Sequence, residues 1–146
     1  MPFAFSGDFV ISRSREEVYA FLTDPKAFGP LLPDFQGVNE EGKGRWTLKI
    51  NVGVAHIRGT ASVRLILAAE KPPDSAEYIG QGQFAGGSVN LTASFELSDA
   101  APGTKVRWKG EAQVFGALAS LAGGLLEPMV QKNIKTVVDG LQKALS

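Results

Sequence analysis

Chemistry at a protein site needs an acid, a base, a nucleophile or a metal ligand held in place, and this chain offers few of them. It has no cysteine and a single histidine, His56. That excludes disulfides, thiolate zinc sites, iron–sulfur clusters and cysteine nucleophiles, and leaves no multi-histidine metal site. No cofactor is expected. Tyr78 is the main polar side chain at an inward strand position. Its hydroxyl suits a hydrogen bond to a ligand carbonyl, although a buried tyrosine commonly packs with one local partner. The indole N–H groups of Trp46 and Trp108 suit the same role. His56 has outward parity beside a turn, where a lone histidine is usually inert. Glu77, Glu96 and Glu111 also have outward parity, so no carboxylate pair converges for acid–base work. Asp34 falls in a loop, a common place for a solvated turn aspartate. Gly80 to Ala85 spells GxGxxA, but within a strand and leading to a turn, so no dinucleotide site is expected.

The elements that position these groups follow from periodicity. Phe3, Phe5, Phe9 and Ile11 share one parity, which predicts a strand with one buried face. Ser14-Arg15-Glu16-Glu17 reads as a capping box, and Val18, Phe21 and Leu22 follow at helical spacing. Asp24-Pro25 ends that helix and starts a second, which Pro30 and Pro33 keep very short. From about residue 35 the period is 2. Trp46, Leu48, Ile50 and Val52 alternate with polar residues; so do Ala61, Val63 and Leu65, then Ala76, Tyr78 and Phe84, then Val89 to Leu97, then Val106, Trp108 and Val114. Lys71-Pro72-Pro73-Asp74, Gly86-Gly87 and Ala101-Pro102-Gly103 read as turns. After Phe115, Leu118, Leu121, Leu125, Met129, Ile134, Val137, Val138 and Leu141 form a helical stripe, with a kink expected at Pro128. One α+β domain over residues 1–146 follows: an antiparallel sheet, solvated on one face, with helices on the other.

Glycine makes up 17 of the 146 residues, well above the usual ~7%. Some of it is turn residue. Gly59, Gly80, Gly82 and Gly110, with Ala61, Ala93 and Ala112, have inward parity instead. Small residues there either let the sheet bend or leave a space. The expected rim of such a space is large and apolar: Phe28, Leu32, Phe35, Trp46, Tyr78 and Phe84, then Phe95, Trp108, Leu121, Leu125 and Met129. With Gly80 and Gly82 these are the expected ligand-cavity residues, in the manner of a small-molecule pocket. The alternative is that helix side chains fill the gap and the glycines only permit bending.

Phe9 to Asp24, followed by Pro25 and Leu32-Pro33, resembles the opening of the START-like, or SRPBCC, helix-grip superfamily, the Bet v 1-like and polyketide cyclase group. Val52-Gly53-Val54 with Ile57-Arg58-Gly59, Gly80-Gln81-Gly82, Gly103 to Trp108, and Phe115 to Ala119 resemble one branch, the CoxG family, that of the G subunit of carbon monoxide dehydrogenase. The resemblance covers nearly the whole chain. It implies a seven-stranded curved antiparallel sheet wrapped round a long C-terminal helix, two short helices between strands 1 and 2, and a deep apolar cavity. It also implies maturation or membrane recruitment of a molybdenum CO dehydrogenase-type enzyme and carriage of a quinone-like lipid. Two departures stand out. Leu32 to Val38 is longer than the family's usual loop, and the chain ends at Ser146 without the C-terminal extension that relatives attach to membranes.

The expected function is non-catalytic binding of an apolar small molecule, a quinone-like or other lipid, as carrier or recruitment factor. A cyclase- or hydrolase-like enzyme using Tyr78 or Asp34 is one alternative. An assembly factor docking through the outward row Arg45, Lys49, Arg58, Arg64, Lys105, Arg107 and Lys109 is another, although such rows are ordinary on a solvated sheet face. Phe115 to Leu126 reads either as a gate or as a plain helix start. Lys+Arg and Asp+Glu are 15 each, which argues against nucleic acid as a partner. The opening residues lack a signal-peptide pattern, so a cytoplasmic protein is expected, with transient membrane contact.

Overall fold

The structure, a computed structural model, describes residues 2–54, 57–84, 87–101 and 103–146; the side chains at 2, 53, 54, 57, 117, 118 and 120–127 lie outside the description. Strand β1 (Pro2–Ile11) is followed by α1 (Arg15–Leu22), α2 (Pro25–Phe28) and a 3-10 turn (Gly29–Leu31). Then come β2 (Phe35–Gly42), β3 (Arg45–Val54), β4 (Ile57–Lys71), β5 (Ser75–Phe84), β6 (Gly87–Ala100), β7 (Gly103–Gly116) and α3 (Ala117–Ala144). The expected α+β architecture and helix-grip fold are present. The seven strands form one antiparallel sheet in the order β1-β7-β6-β5-β4-β3-β2. Each strand from β2 to β7 pairs with its chain neighbour, and β1 pairs with β7.

The local signals act as their chemistry requires. The Ser14 hydroxyl accepts from the Glu17 amide at 3.3 Å and donates to the Glu17 carboxylate at 3.1 Å, which caps α1. Asp24 caps α2, accepting from the Lys26 amide at 3.0 Å, with Pro25 in the first helical position. Gly103 has no room for a side chain: a Cβ there would collide with the backbone of Ile11 and Arg13, where β7 starts against the end of β1. Thr104, fully buried, donates its hydroxyl to the Arg13 carbonyl at 2.7 Å across the same junction. The strands run further than periodicity implied. β4 continues to Lys71, and β2 reaches Gly42 through two register shifts. α3 is one element through Pro128.

Among the described residues, three apolar clusters lie between sheet and helices. One joins Ile11, Val18, Tyr19, Phe95, Val106 and Leu141 at the end where α1 and the last turns of α3 meet the sheet. A second gathers Trp46, Leu48, Leu65 and Tyr78 under the 3-10 turn. A third, sparser one holds Ala61, Phe84 and Val114, with Met129 against it. The Gln142 side chain donates to the Val10 carbonyl at 3.1 Å, tying α3 to the outer edge of β1.

Candidate ligand-binding cavity

Strand register decides which inward residues stand side by side. One row across the sheet reads Tyr78, Ala93, Gly110, Phe5. The next reads Gly80, Leu91, Ala112, Phe3, and a third Ala76, Phe95, Trp108, Gly7. In the second and third rows each small residue lies beside a ring or branched chain, and Leu91 covers Gly80 as Trp108 covers Gly7. In the first row two small residues are neighbours. Ala93 and Gly110 therefore leave a gap between Tyr78 and Phe5, and α3 passes over it.

The result is a cavity of about 620 Å³, within the range of small-molecule sites. Its floor includes Phe5, Ala93, Trp108 and Gly110; Val130, Ile134, Val137 and Val138 of α3 form its roof. Leu22, Phe28, Leu32 and Pro33 close one end, and Val52, Phe84, Val89 and Met129 border the other. The wall is apolar because nearly every contributing position lies on the inward parity of a strand or on the apolar stripe of α3. Thr92, Lys109 and Glu111 also border it, but all three are exposed with outward parity, so their main chain faces the space.

Of the residues expected from sequence, Phe28, Leu32, Tyr78, Phe84, Phe95, Trp108 and Met129 line this cavity. Phe35, Trp46, Gly80 and Gly82 do not. Phe35 lies over Gly29, where an added Cβ would meet its ring at 2.9 Å. Trp46 packs edge-on to Tyr78 with ring centroids 6.3 Å apart, and Phe28 does the same at 6.1 Å. The place a side chain would take at Gly80 is filled by Leu91 and Leu65 (2.8 and 3.1 Å), and near Gly82 by Val63 at 3.5 Å. Parity names the face a residue shares, not its distance along that face from a neighbouring ring. Gly110 is the opposite case: among the described residues, a Cβ there would meet nothing closer than the Thr92 carbonyl at 3.7 Å. The side chains of Leu121 and Leu125, the Gly123-Gly124 gate reading, His56 and the Gly86 turn lie outside the described residues. Phe3, Phe5, Ile50, Val89, Leu91 and Asn133 were not singled out from sequence, although each carries the right parity or helical spacing.

The polar groups near the cavity are largely committed. Tyr78 donates its hydroxyl to the Leu22 carbonyl at 2.8 Å. Burial raises its pKa well above the usual tyrosine range, and the charges of Asp24 and Glu70 add to this. Asp34 is exposed, sits at φ 58°, and uses its carbonyl to accept from the Asn51 amide at 2.9 Å. Among the described residues no group of His, Cys, Asp and Glu is placed to hold a metal ion. On the outer face Arg45, Lys49, Arg58, Arg64, Arg107 and Lys109 are exposed. Lys105 pairs with Asp8 at 3.9 Å, and Lys49 donates to the Ser62 hydroxyl at 3.3 Å. A second hollow of about 760 Å³ on that face is bordered by Arg64, Ile66, Ile79, Gln81 and Gln113, and its walls are mixed rather than apolar. No helix among the described residues is long and apolar enough to cross a membrane.

Solved structures share this fold. A conserved protein from Geobacillus kaustophilus superposes with a TM-score of 0.87 at 19% identity, over 98% of this chain and 95% of that one. A protein from Chromobacterium violaceum gives 0.71 at 14%, over 97% and 96%. The di-domain ARO/CYC StfQ of the steffimycin biosynthetic pathway gives 0.67 at 13%, over 99% of this chain and 50% of that one. A comparison with the curated proteins finds no match. The family match runs over residues 7–146, from the middle of β1 through the cavity strands to the end of α3, and this chain belongs to the CoxG family, that of the G subunit of carbon monoxide dehydrogenase.

Proposed function

We propose that this protein binds an apolar small molecule, a quinone-like or other lipid, in the cavity beneath α3. It does so without catalysing a reaction, as a carrier or recruitment factor for a molybdenum CO dehydrogenase-type enzyme. The observation that carries the reading is the pairing of Ala93 with Gly110, two small residues side by side on the cavity floor beneath α3. Burying apolar ligand surface there is favourable at roughly 25 cal/mol per Å², and among the described residues the wall offers no acid–base pair to transform what binds. Tyr78 is a poor proton carrier, because its hydroxyl is spent on Leu22 and its ionisation is suppressed by burial. The family name supports the link to a CO dehydrogenase. Contact of the protein with a membrane surface, where a lipid is collected or delivered, belongs to the same proposal.

Native mass spectrometry of the purified protein before and after solvent extraction tests this. The expected result is a bound apolar compound that extraction removes, and a rise in thermal midpoint when the extracted protein meets 2-methyl-1,4-naphthoquinone. Protein that is always free of ligand and gains no stability from that quinone or from phospholipid would overturn it.

A further inference from the structure

We infer that Asn133 is the polar anchor of the cavity, and that its ligand is an apolar molecule carrying a hydrogen-bonding oxygen where it meets the middle of α3. This rests on the ligand-binding reading above. Residues 129, 133 and 137 are spaced four apart on α3, so Met129, Asn133 and Val137 lie along one line of the helix, and all three border the cavity. Leu141 continues that line, and the neighbouring one runs through Val130, Ile134 and Val138. Asn133 is the polar side chain on an otherwise apolar stripe, while the solvent side of the same segment carries Gln131, Lys132, Lys135 and Asp139. Asparagine is a mediocre helix former, so helix propensity does not account for it.

Its partners are missing too. The Asn133 side chain is half-buried and makes no hydrogen bond with any described residue. Elsewhere on α3 the polar side chains of Lys135 and Thr136 do find partners, Asp139 and the Lys132 carbonyl. The other side-chain donors at the cavity are placed differently. The Tyr78 hydroxyl is held by Leu22, and the edge of Trp108 that carries Nε1 lies over Gly7, 3.2 Å from where a Cβ would stand. The main chains of Thr92 and Glu111, and of Ser94 and Lys109, face each other across the β6–β7 ladder. A carboxamide offers both donors and an acceptor, so it can take either a carbonyl or a hydroxyl. It gives no counter-charge, which disfavours a carboxylate or an amine at that point.

The test uses two probes of matched shape, 2-acetylnaphthalene and 2-ethylnaphthalene, against solvent-extracted protein. Affinity is read by displacement of the fluorophore N-phenyl-1-naphthylamine, whose own binding reports the cavity. The wild type should prefer the ketone by about fivefold, the worth of one neutral hydrogen bond. Asn133→Leu should bind the hydrocarbon as well as before and lose the preference. Asn133→Ala should do the same with a wider pocket, and neither variant should lower the thermal midpoint. Equal affinities in the wild type, or a preference that survives both substitutions, would overturn the anchor and leave the carrier reading standing. If the fluorophore and both probes fail to bind the extracted wild type, the carrier reading falls and the anchor with it.

Discussion

The two halves of the inner sheet face use glycine in opposite ways. On the β3–β4–β5 side, Gly80 is a socket: Leu91 and Leu65 occupy the volume that its side chain would need. Around it Trp46, Leu48 and Tyr78 are buried to within 8% exposure, and aromatic edges meet aromatic faces. On the β6–β7 side, Gly110 is a vacancy, beside Ala93 and under α3, with no side chain of the described residues near its Cβ direction. Both glycines are strand residues of the same parity. What separates them is the pair of neighbours one strand away: Gly80 stands between two leucines, Leu91 and Leu65, that close over it, whereas Gly110 stands between Ala93 and Phe5 and is left uncovered on the alanine side. A small residue beside a large one tightens packing, and two small residues together make a hole.

That contrast can be broken by experiment. The largest effect should come from Leu48→Ala in the packed half. Leu48 is 1% exposed, and such a truncation typically costs about 2–5 kcal/mol. Met129→Ala borders space that already exists, so about 1 kcal/mol is expected, because little new cavity is created. Urea denaturation measures both, and equal losses would erase the distinction. Next in size is the glycine pair itself. Gly80→Val must displace Leu91 and should cost about 1–3 kcal/mol. Gly110→Val should stay within about 1 kcal/mol of wild type while lowering uptake of N-phenyl-1-naphthylamine, since the valine fills the cavity floor. A stable Gly80→Val protein would show that the packed half has slack.

Tyr78→Phe stands at the border of the two halves. It removes the bond to the Leu22 carbonyl, for a loss of about 1 kcal/mol at neutral pH. It should also change the response to alkali. The folded pKa of Tyr78 is raised, so the unfolded chain loses its proton first, from about pH 10. The contribution of this group is therefore complete below that pH and is lost as pH rises above it. Unfolding free energy measured between pH 9 and 11 should fall more steeply for wild type than for Tyr78→Phe. The smallest effect belongs to the outer face. Arg64 is exposed and has no ion pair among the described residues, so Arg64→Glu should alter stability by no more than about 0.5 kcal/mol.

Much of the architecture was legible in the chain because each signal is local. Period 2 marked the strands from Arg45 to Val114, Ser14 and Asp24 marked two helix starts, and the apolar stripe from Met129 to Leu141 marked the last helix. The cavity was only half legible. Parity placed Phe84, Phe95 and Trp108 on the inner face, and they line the space. It placed Trp46 and Gly80 on the same face, where packing fills the space instead. Asn133 escaped notice because a hydrophobic stripe is read from the residues that obey it. It sits one helical turn from both Met129 and Val137, and that spacing alone could have revealed it.

The amino-acid sequence by itself determined which residues face inward, that the sheet is antiparallel, and that few reactive groups are present at all. These depend on backbone periods of 2 and 3.6 and on composition. Tertiary structure alone decided which inward glycines are covered, that Tyr78 spends its hydroxyl on Leu22, and that β1 returns to stand beside β7 and bring Phe5 next to Gly110. Those outcomes depend on register between strands remote in the chain, and on the path of a helix across them, neither of which any local pattern encodes.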